Sequence, residues 1–318
     1  MKVTQHIENA KGKTLFSFEI LPPKKGDTIN SLLNNVDPLM DFNPPFIDVT
    51  YHREEFIYRE LGNGMLEKHV TRKRPGTVGI CAAIINRYKV DAIPHIICGG
   101  FSKEDTENAL IDLNFLGIDN VLVLRGDAMK NERDFVPEPN GHSYASELLE
   151  QVSNLNKGKY LEEELHNPAP TNFCIGIAGY PEKHFEAPNL DTDLFYLKKK
   201  VEMGAEYIVT QLFYDNKKYF DFVDRCRSIG INVPIIPGLK PIAVKSHMTQ
   251  LPNIFHIDLP QELVLEIEKC TDNKQVRHLG VEWCINQCKE LKEKGVPILH
   301  FYSMGKSDNI YNIAKAVF

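Results

Sequence analysis

The sequence predicts an α/β fold of the (β/α)8 type, a TIM barrel, and three observations lead to this prediction. Short apolar runs rich in β-forming residues alternate with amphipathic stretches along almost all of the 318 residues. Eight such runs occur, and a helical pattern follows each of them. No Gly/Ser-rich or Pro-rich linker divides the chain, so we expect one barrel domain over residues 1–318. A doubly wound sheet is the alternative, but it calls for a GxGxxG motif after the first strand, and none is present.

The predicted strands end where the residue type changes sharply. Pro22-Pro23 ends the first strand, Gly99-Gly100 follows the third, and Pro237-Gly238 ends the seventh. The continuous apolar run NVLVL is typical of a buried parallel strand, and Arg125-Gly126-Asp127 stops it. The eight predicted strands are 15–21, 46–50, 91–98, 120–124, 173–178, 206–212, 233–236 and 296–302.

The predicted helices show apolar residues at helical spacing and recognisable ends. Ser102 is a suitable N-cap, with Asp105 three residues later in a position like that of a capping box. Charged or irregular loops are expected at 51–58, 130–141 and 157–172. The helices are expected at 28–42, 65–88 with a break near Pro75-Gly76, 102–116, 143–156, 191–203, 217–229, 243–277, 273–294 and 309–317.

Composition and charge exclude several classes of protein. The net charge of −6 argues against non-specific binding to nucleic acids and against attraction to anionic membranes. No apolar run approaches the roughly 20 residues of a membrane span, and the polar N-terminus shows no secretory signal. The seven cysteines are scattered without a CxxC pair. Cys284 and Cys288 share a helix face, which favours two core thiols over a zinc site. Because scattered cysteines are typical of a reducing compartment, we expect a cytoplasmic protein.

One carboxylate is conspicuous in the first strand. Glu19 lies in the apolar run LFSFEIL, immediately before Pro22-Pro23. A glutamate is rarely buried without a partner, and an apolar pocket raises its pKa, as a general acid requires. The alternative is a glutamate at a strand end that faces water or pairs with a lysine.

The ends of most other strands are polar as well. In a barrel, the residues at the C-terminal ends of the strands converge on one mouth, where active sites lie. Individually these residues have ordinary explanations: His95 as a core histidine, Arg125 with Asp127 as an ion pair, and Gln211 as a partner for backbone. Together they favour a ligand site. The set is Glu19, Thr50, His95, Arg125, Asp127, Tyr180, His184 and Gln211.

The ordered motifs SFEILPP, IDVTY, PHIIC, LRGD, YPEKH, LKKKVEMGA, TQLFYD, IIPGLKPI and LHFY resemble those of the methylenetetrahydrofolate reductase family. The resemblance extends from about Phe16 to Tyr302 and is closest to the short bacterial form, without a C-terminal regulatory domain. It implies a flavin-containing (β/α)8 barrel. It also implies that FAD passes a hydride from NADH or NADPH to 5,10-methylenetetrahydrofolate, which gives 5-methyltetrahydrofolate by a ping-pong mechanism.

The resemblance also implies roles for individual residues. Glu19 is expected to be the general acid, and Asp127 a charge that stabilises the cation developing near the flavin. Gln211 is expected to contact folate and nicotinamide in turn, with Asp127, Leu251 and Lys306 also at the substrate. Leu251 and Lys306 depart from the phenylalanine and arginine of the family, and the lysine loses the bidentate fork. The implied FAD contacts are Thr50, Tyr51, His95, Arg125, Gly126, Asp127, Ala145, Tyr180, His184, Asp193, Lys199 and Lys200.

Two other functions are compatible with a barrel that binds a pterin. A pterin-binding methyltransferase would need a zinc–thiolate site or a cobalamin partner, and the scattered cysteines argue against it. A non-catalytic folate-binding protein would have lost the acid, and Glu19 argues against it. The expected partners are a small-molecule folate and further copies of the chain, with no nucleic acid, membrane or metal. NADH is the expected co-substrate by analogy with bacterial members of the family.

Overall fold

The computed structural model describes residues 1–62, 64–71, 73–129 and 132–318. Nine of its strands form one parallel sheet in the order β10-β11-β1-β2-β5-β6-β7-β8-β9, and β3 and β4 form a separate antiparallel pair. The strands are β1 (Leu15–Ile20), β2 (Phe46–Val49), β3 (Glu55–Glu60), β4 (Leu66–Thr71), β5 (Asp91–Ile97), β6 (Asn120–Leu124), β7 (Cys174–Gly179), β8 (Tyr207–Thr210), β9 (Ile235–Ile236), β10 (Gly238–Leu239) and β11 (Ile298–Tyr302).

The sheet curls into a barrel that closes at Pro237. This residue separates β9, which lies in the predicted seventh strand, from β10, which continues that strand beyond Pro237-Gly238, where the strand was expected to end. β9 pairs with β8, and β10 pairs with β11, so these two short strands join the ends of the sheet. Proline has no N–H to donate to a ladder, but its carbonyl still accepts a bond from the His300 N–H at 3.2 Å. The predicted (β/α)8 fold class is therefore confirmed, with one strand interrupted.

Helices surround the barrel, and the main apolar core lies between them and the outward-facing strand residues. Ser102 caps α4 as predicted: its Oγ accepts from the Asp105 N–H at 3.1 Å, and the Asp105 carboxylate accepts from the Ser102 N–H at 3.0 Å. The helices are α1 (Val3–Asn9), α2 (Ile29–Val36), α3 (Thr77–Tyr88), α4 (Lys103–Phe115), α5 (Ala145–Leu155), α6 (Leu190–Glu202), α7 (Asn216–Ser228), α8 (His247–Phe255), α9 (Gln261–Lys269), α10 (Asn273–Glu293) and α11 (Asp308–Val317).

The short helix α1 was not predicted, because its sequence is largely polar. Its buried residue Val3 packs with inward-facing residues of the barrel such as Phe46 and Ile298. The Val3 N–H donates to Asn120 Oδ1 at 2.8 Å, at the start of β6. Strands of a barrel begin at its N-terminal face, so α1 covers the bottom of the barrel, opposite the mouth.

The prediction for residues 51–88 was partly wrong. Residues 66–71 were assigned to a helix and residues 55–58 to a loop, but they form the β3–β4 hairpin. The sequence contains the hairpin signal Asn63-Gly64 between two runs of similar length, and the Leu61 N–H donates to the Met65 carbonyl at 2.7 Å across the turn. The helix at 77–88 is confirmed. Arg72, within the predicted helix, and Lys130 and Asn131, at the start of the predicted loop, lie outside the described residues.

Other boundaries moved slightly. The predicted helix at 28–42 is α2 followed by a 3-10 turn at Asp37–Phe42, and the predicted region 243–277 separates into α8, α9 and the start of α10. Among the described residues, no helix combines the length and apolar character that crossing a bilayer requires.

Candidate active site at the barrel mouth

Glu19 is the last inward-facing residue of β1. In the sheet register it lies beside Asp48 of β2 and Tyr302 of β11. The side chain is 9% exposed, and burial raises its pKa to about 7. Asp48 raises this pKa further, whereas His95 and Lys240 lower it. A carboxyl group that titrates near neutrality keeps its proton in a large share of molecules at pH 7, so Glu19 has the properties of a proton donor.

The interior below Glu19 is unusually polar for a barrel. Residues two apart on a strand face the same side, and Leu15, Phe46, Ile93 and Ile298 pack together in the lower interior. The next inward positions on these four strands are Ser17, Asp48, His95 and His300. Barrel interiors are normally filled by branched apolar side chains, so four adjacent polar residues call for a specific explanation.

Only part of this polar layer is paired. Ser17 Oγ lies 2.9 Å from His300 Nδ1, and His95 Nε2 lies 3.5 Å from Asp48 Oδ2. The second contact is too long for a good hydrogen bond. Several buried interior atoms have no hydrogen-bond partner within the described chain, namely Asp48 Oδ1 and Oδ2, His95 Nε2, His300 Nε2 and the Tyr207 hydroxyl.

Asp48 was not among the residues singled out in the sequence. It lies in FIDVT, two positions after the inward-facing Phe46, and is 1% exposed. The alternation of inward and outward residues along β2 would have identified it. Like Glu19 in SFEIL, Asp48 is a carboxylate within an apolar strand, at a position that faces the interior.

A second group of polar residues lies at the ends of β6 and β7. Arg125 binds Glu186 with both ends of its guanidinium, at 2.6 and 2.9 Å, rather than pairing with Asp127. Tyr180 and His184 make an edge-to-face ring contact at 4.7 Å. Burial lowers the pKa of His184, and Asp193 and Glu186 act in the opposite direction.

The charges around His184 define one cluster on the rim. Asp193 Oδ2 accepts a bond from the His184 N–H at 2.9 Å. Burial lowers the pKa of the Lys200 ammonium, and the nearby Asp193 acts in the opposite direction. Arg125, Asp193 and Lys200 all influence His184, and Asp127 influences Tyr180. The sequence-predicted residues Arg125, Asp127, Tyr180, His184, Asp193 and Lys200 therefore lie together.

Two backbone features complete this rim. Gly126 has φ of +85°, a conformation that L side chains rarely adopt, and a Cβ there would approach Ile97 at 3.3 Å. Ala145 is the first residue of α5, whose N-terminus is at the mouth because the helix follows β6 through a loop. The first backbone N–H groups of a helix favour anions.

Thr50, Tyr51 and Gln211 follow the strands β2 and β8, and each has an identified contact. Thr50 donates both its N–H and its hydroxyl to the Ile20 carbonyl, at 3.1 and 3.2 Å, which ties β2 to the end of β1. The Tyr51 ring lies 4.9 Å from that of Phe101. Gln211 follows β8, and its Oε1 accepts from the Leu212 N–H at 2.9 Å.

Three predicted residues lie apart from these groups. The Lys199 ammonium lies over the exposed rings of Phe195 and Tyr196, at 4.4 and 5.8 Å from their centroids. Leu251 is 3% exposed and packs in an apolar cluster with residues of α9 and α10. Lys306 lines a surface groove of about 500 Å³ between α2 and α11.

That groove and a second one of about 460 Å³ beside Pro22 and Arg74 contain neither Glu19, Asp127 nor Gln211. We therefore locate the candidate site from its buried charges and the strand register. The described residues include no group of three or more histidine, cysteine, aspartate or glutamate side chains arranged to hold a metal ion.

Comparison with known proteins gives a consistent family assignment. The family model described as methylenetetrahydrofolate reductase matches residues 2–317. Methylenetetrahydrofolate reductase (NADH) 1 of Arabidopsis thaliana is 34% identical over 316 residues, which cover 96% of this chain and 48% of the relative. The chain thus spans about half the length of such relatives. A probable NADPH enzyme of Caenorhabditis elegans is 31% identical, covering 95% of this chain and 42% of the relative.

A shorter relative matches over almost its whole length. The 5,10-methylenetetrahydrofolate reductase of Escherichia coli is 28% identical over 318 residues, covering 99% of this chain and 94% of the relative. Among solved structures, an uncharacterised protein of Clostridium thermocellum, described as binding two copies of 5-methyl-5,6,7,8-tetrahydrofolic acid, superposes with a TM-score of 0.56 at 16% identity. That match covers 99% of this chain and 98% of the other, and it supports the fold.

Proposed function

The chain belongs to the methylenetetrahydrofolate reductase family, and from this premise we propose that it reduces 5,10-methylenetetrahydrofolate to 5-methyltetrahydrofolate with NADH or NADPH, using FAD. The observation that carries the proposal is Glu19: a buried carboxyl group with a pKa of about 7 at the mouth of a barrel of this family. A proton donor at this position is what opening of the folate ring requires.

Glu19 acts on the folate. The methylene group bridges two nitrogen atoms, and a proton delivered to N10 breaks its bond to that nitrogen and leaves an iminium cation at N5. The carbon of this cation is then able to accept two electrons as hydride. Burial keeps the proton on Glu19 near neutral pH, so the acid is ready when the substrate arrives.

Asp127 stabilises charge on the folate, and Gln211 positions the folate and the nicotinamide. The Asp127 side chain lies near enough to Tyr180 and His52 to influence the pKa of each. A carboxylate there stabilises the cation formed when the ring opens. Gln211, at the end of β8, offers an amide to the folate and the nicotinamide, which bind in turn in a ping-pong cycle.

The rim cluster fits FAD. Arg125, Lys200 and the N-terminus of α5 at Ala145 are suited to the pyrophosphate, and Gly126 brings backbone close to a planar ligand. His95, Thr50, Tyr51, Tyr180, His184 and Asp193 complete the proposed contacts, with Lys199 as an outer cation. When bound, FAD supplies a two-electron carrier between the nicotinamide and the folate.

The test is an anaerobic titration of the purified full-length protein with FAD. We expect the protein to take up FAD, NADH or NADPH to bleach the yellow colour, and methylenetetrahydrofolate to restore it. Rates with each nicotinamide then identify the preferred co-substrate. A protein that takes up no FAD, or whose reduced flavin is not reoxidised by the folate, would contradict the proposal. Folate binding without FAD uptake would indicate a binding protein instead.

A further inference from the structure

The polar layer inside the barrel contains a carboxylate for which the proposed reaction has no role. Asp48 is 1% exposed, and neither of its carboxyl oxygens has a hydrogen-bond partner within the described chain. A buried acidic group whose oxygens accept no hydrogen bond is costly for the folded state. Its presence at the centre of the barrel therefore points to a function other than stability.

The sheet register places Asp48 beside the proton donor. Glu19 of β1 pairs with Asp48 of β2, and both side chains face the interior. Neighbouring strands of a sheet lie only about 4.8 Å apart, so side chains at paired positions on the same face are close to each other. Two carboxyl groups that share such a site disfavour each other's ionisation.

Two basic side chains also lie near this pair, and both act on the pKa of Glu19 in the direction opposite to Asp48. His95 of β5 lies 3.5 Å from Asp48, and Lys240 follows β10 on the other side of Glu19. The pKa of Lys240 is lowered by burial, with Glu19 opposing, and the pKa of His300 is lowered by burial, with Asp48 opposing. The other titratable groups that sense Asp48 are Tyr302 of β11, Tyr207 of β8 and Cys81 of α3, and burial raises the pKa of each.

We propose that Asp48 is a positioning residue for proton delivery: its buried carboxyl group, which lies beside Glu19 in the sheet register and 3.5 Å from His95, helps Glu19 to recover its proton from solvent after each transfer to the folate. The inference rests on the proposed function for the identity of the acid. The balance of each cycle is one proton given to folate N10 and one taken from water.

The test is Asp48→Asn, which removes the charge and preserves the shape. Glu19 is titrated by carboxyl ¹³C NMR in the wild-type protein and the variant, with Glu19→Gln identifying the resonance. We expect the Glu19 midpoint to fall by about one pH unit in Asp48→Asn, which is the order of magnitude of the effect of one charge at close range. Asp221→Asn, an exposed aspartate on α7, is the matched control and leaves the midpoint unchanged.

The folate half-reaction provides a second readout. In Asp48→Asn the rate should be unchanged at low pH and about tenfold lower above the wild-type midpoint, because tenfold less Glu19 is protonated there. A uniform loss of rate at every pH, or an unmoved midpoint, would overturn the proposal. Asp48→Ser removes the charge with a smaller side chain and serves if the asparagine variant does not fold.

The two readouts separate this inference from the proposed function. The NMR midpoint requires no turnover, so it tests the effect of Asp48 on Glu19 even in a protein that reduces no folate. Conversely, undiminished folate reduction by Glu19→Gln would remove Glu19 as the acid, whatever the NMR midpoint.

Discussion

At the scale of single residues, the barrel holds two kinds of charged group in two places: a desolvated acid in the interior and an ion-paired base on the rim. In the interior, Glu19 is desolvated beside Asp48, and its pKa rises to about 7. On the rim, Arg125 keeps its charge and is satisfied by Glu186, which is 42% exposed. The buried Glu19 is suited to proton donation. Arg125 is suited to binding an anion when Glu186 releases its guanidinium.

The Arg125–Glu186 pair leads to a prediction about cofactor affinity. Glu186 occupies the same guanidinium that we assign to the FAD pyrophosphate, so the two anions compete for it. Exposed ion pairs contribute about 0.2–1 kcal/mol, so Glu186→Gln should tighten FAD binding by up to about fivefold, measured by fluorescence titration of the apoprotein. Glu202→Gln, which breaks the exposed pair with Lys198 on α6, is the control and should leave the affinity unchanged. Weaker binding in Glu186→Gln would mean that Glu186 itself supports the cofactor.

At the scale of elements, strand alternation determines what the barrel encloses. On β1, β2 and β11 the outward positions are apolar and pack on helices, whereas the upper inward positions are polar. Tyr207 of β8 brings its hydroxyl into this interior, and its ring covers Gly176 of β7, where a Cβ would lie 2.2 Å from the ring. Gly176 thus makes space for an aromatic ring beneath the site.

This close approach gives a stability prediction. Gly176→Ala should lower the free energy of unfolding by about 2 kcal/mol, because a packed interior cannot absorb an extra methyl group without shifts. Gly79→Ala is the control: Gly79 is exposed on α3, a methyl group there would meet no neighbouring atom within 4 Å, and the variant should gain up to about 1 kcal/mol in helix propensity. Urea unfolding of both variants measures the difference. Equal effects would show that the Tyr207 ring is free to move aside.

The barrel strands were predicted correctly from the sequence, whereas the β3–β4 hairpin and helix α1 were not. The barrel strands were predictable because apolar runs such as NVLVL are buried on both faces. The β3–β4 hairpin was missed because LEKHVT has few apolar residues, and its strand conformation depends on pairing with residues 55–60. The polar helix α1 was missed because one buried residue, Val3, is enough to anchor it against the barrel.

At the scale of the whole molecule, the barrel brings together residues that are far apart in the chain. The positions of Glu19, Gln211 and Arg125 at strand ends were predictable, because the apolar strands before them are recognisable and strand ends of a barrel meet at one mouth. Their pairings were not predictable: the Arg125–Glu186 contact depends on how a loop folds, and the Asp48–His95 contact depends on which strands are neighbours. Lys306 was assigned from the motif alone, and the fold places it on a groove between α2 and α11.

In the proposed reaction, Glu19 at the mouth of this barrel delivers a proton to the folate. The most direct measurement is single-turnover reduction of methylenetetrahydrofolate by the prereduced FAD-loaded protein, across pH, in the wild-type protein and Glu19→Gln. We expect a wild-type rate that falls as pH rises through about 7, because the raised pKa keeps the acid protonated only below that value. We expect Glu19→Gln to be at least about 100-fold slower without this pH dependence, while reduction by the nicotinamide is unchanged. A Glu19→Gln variant with the wild-type rate and pH profile would show that Glu19 is not the acid.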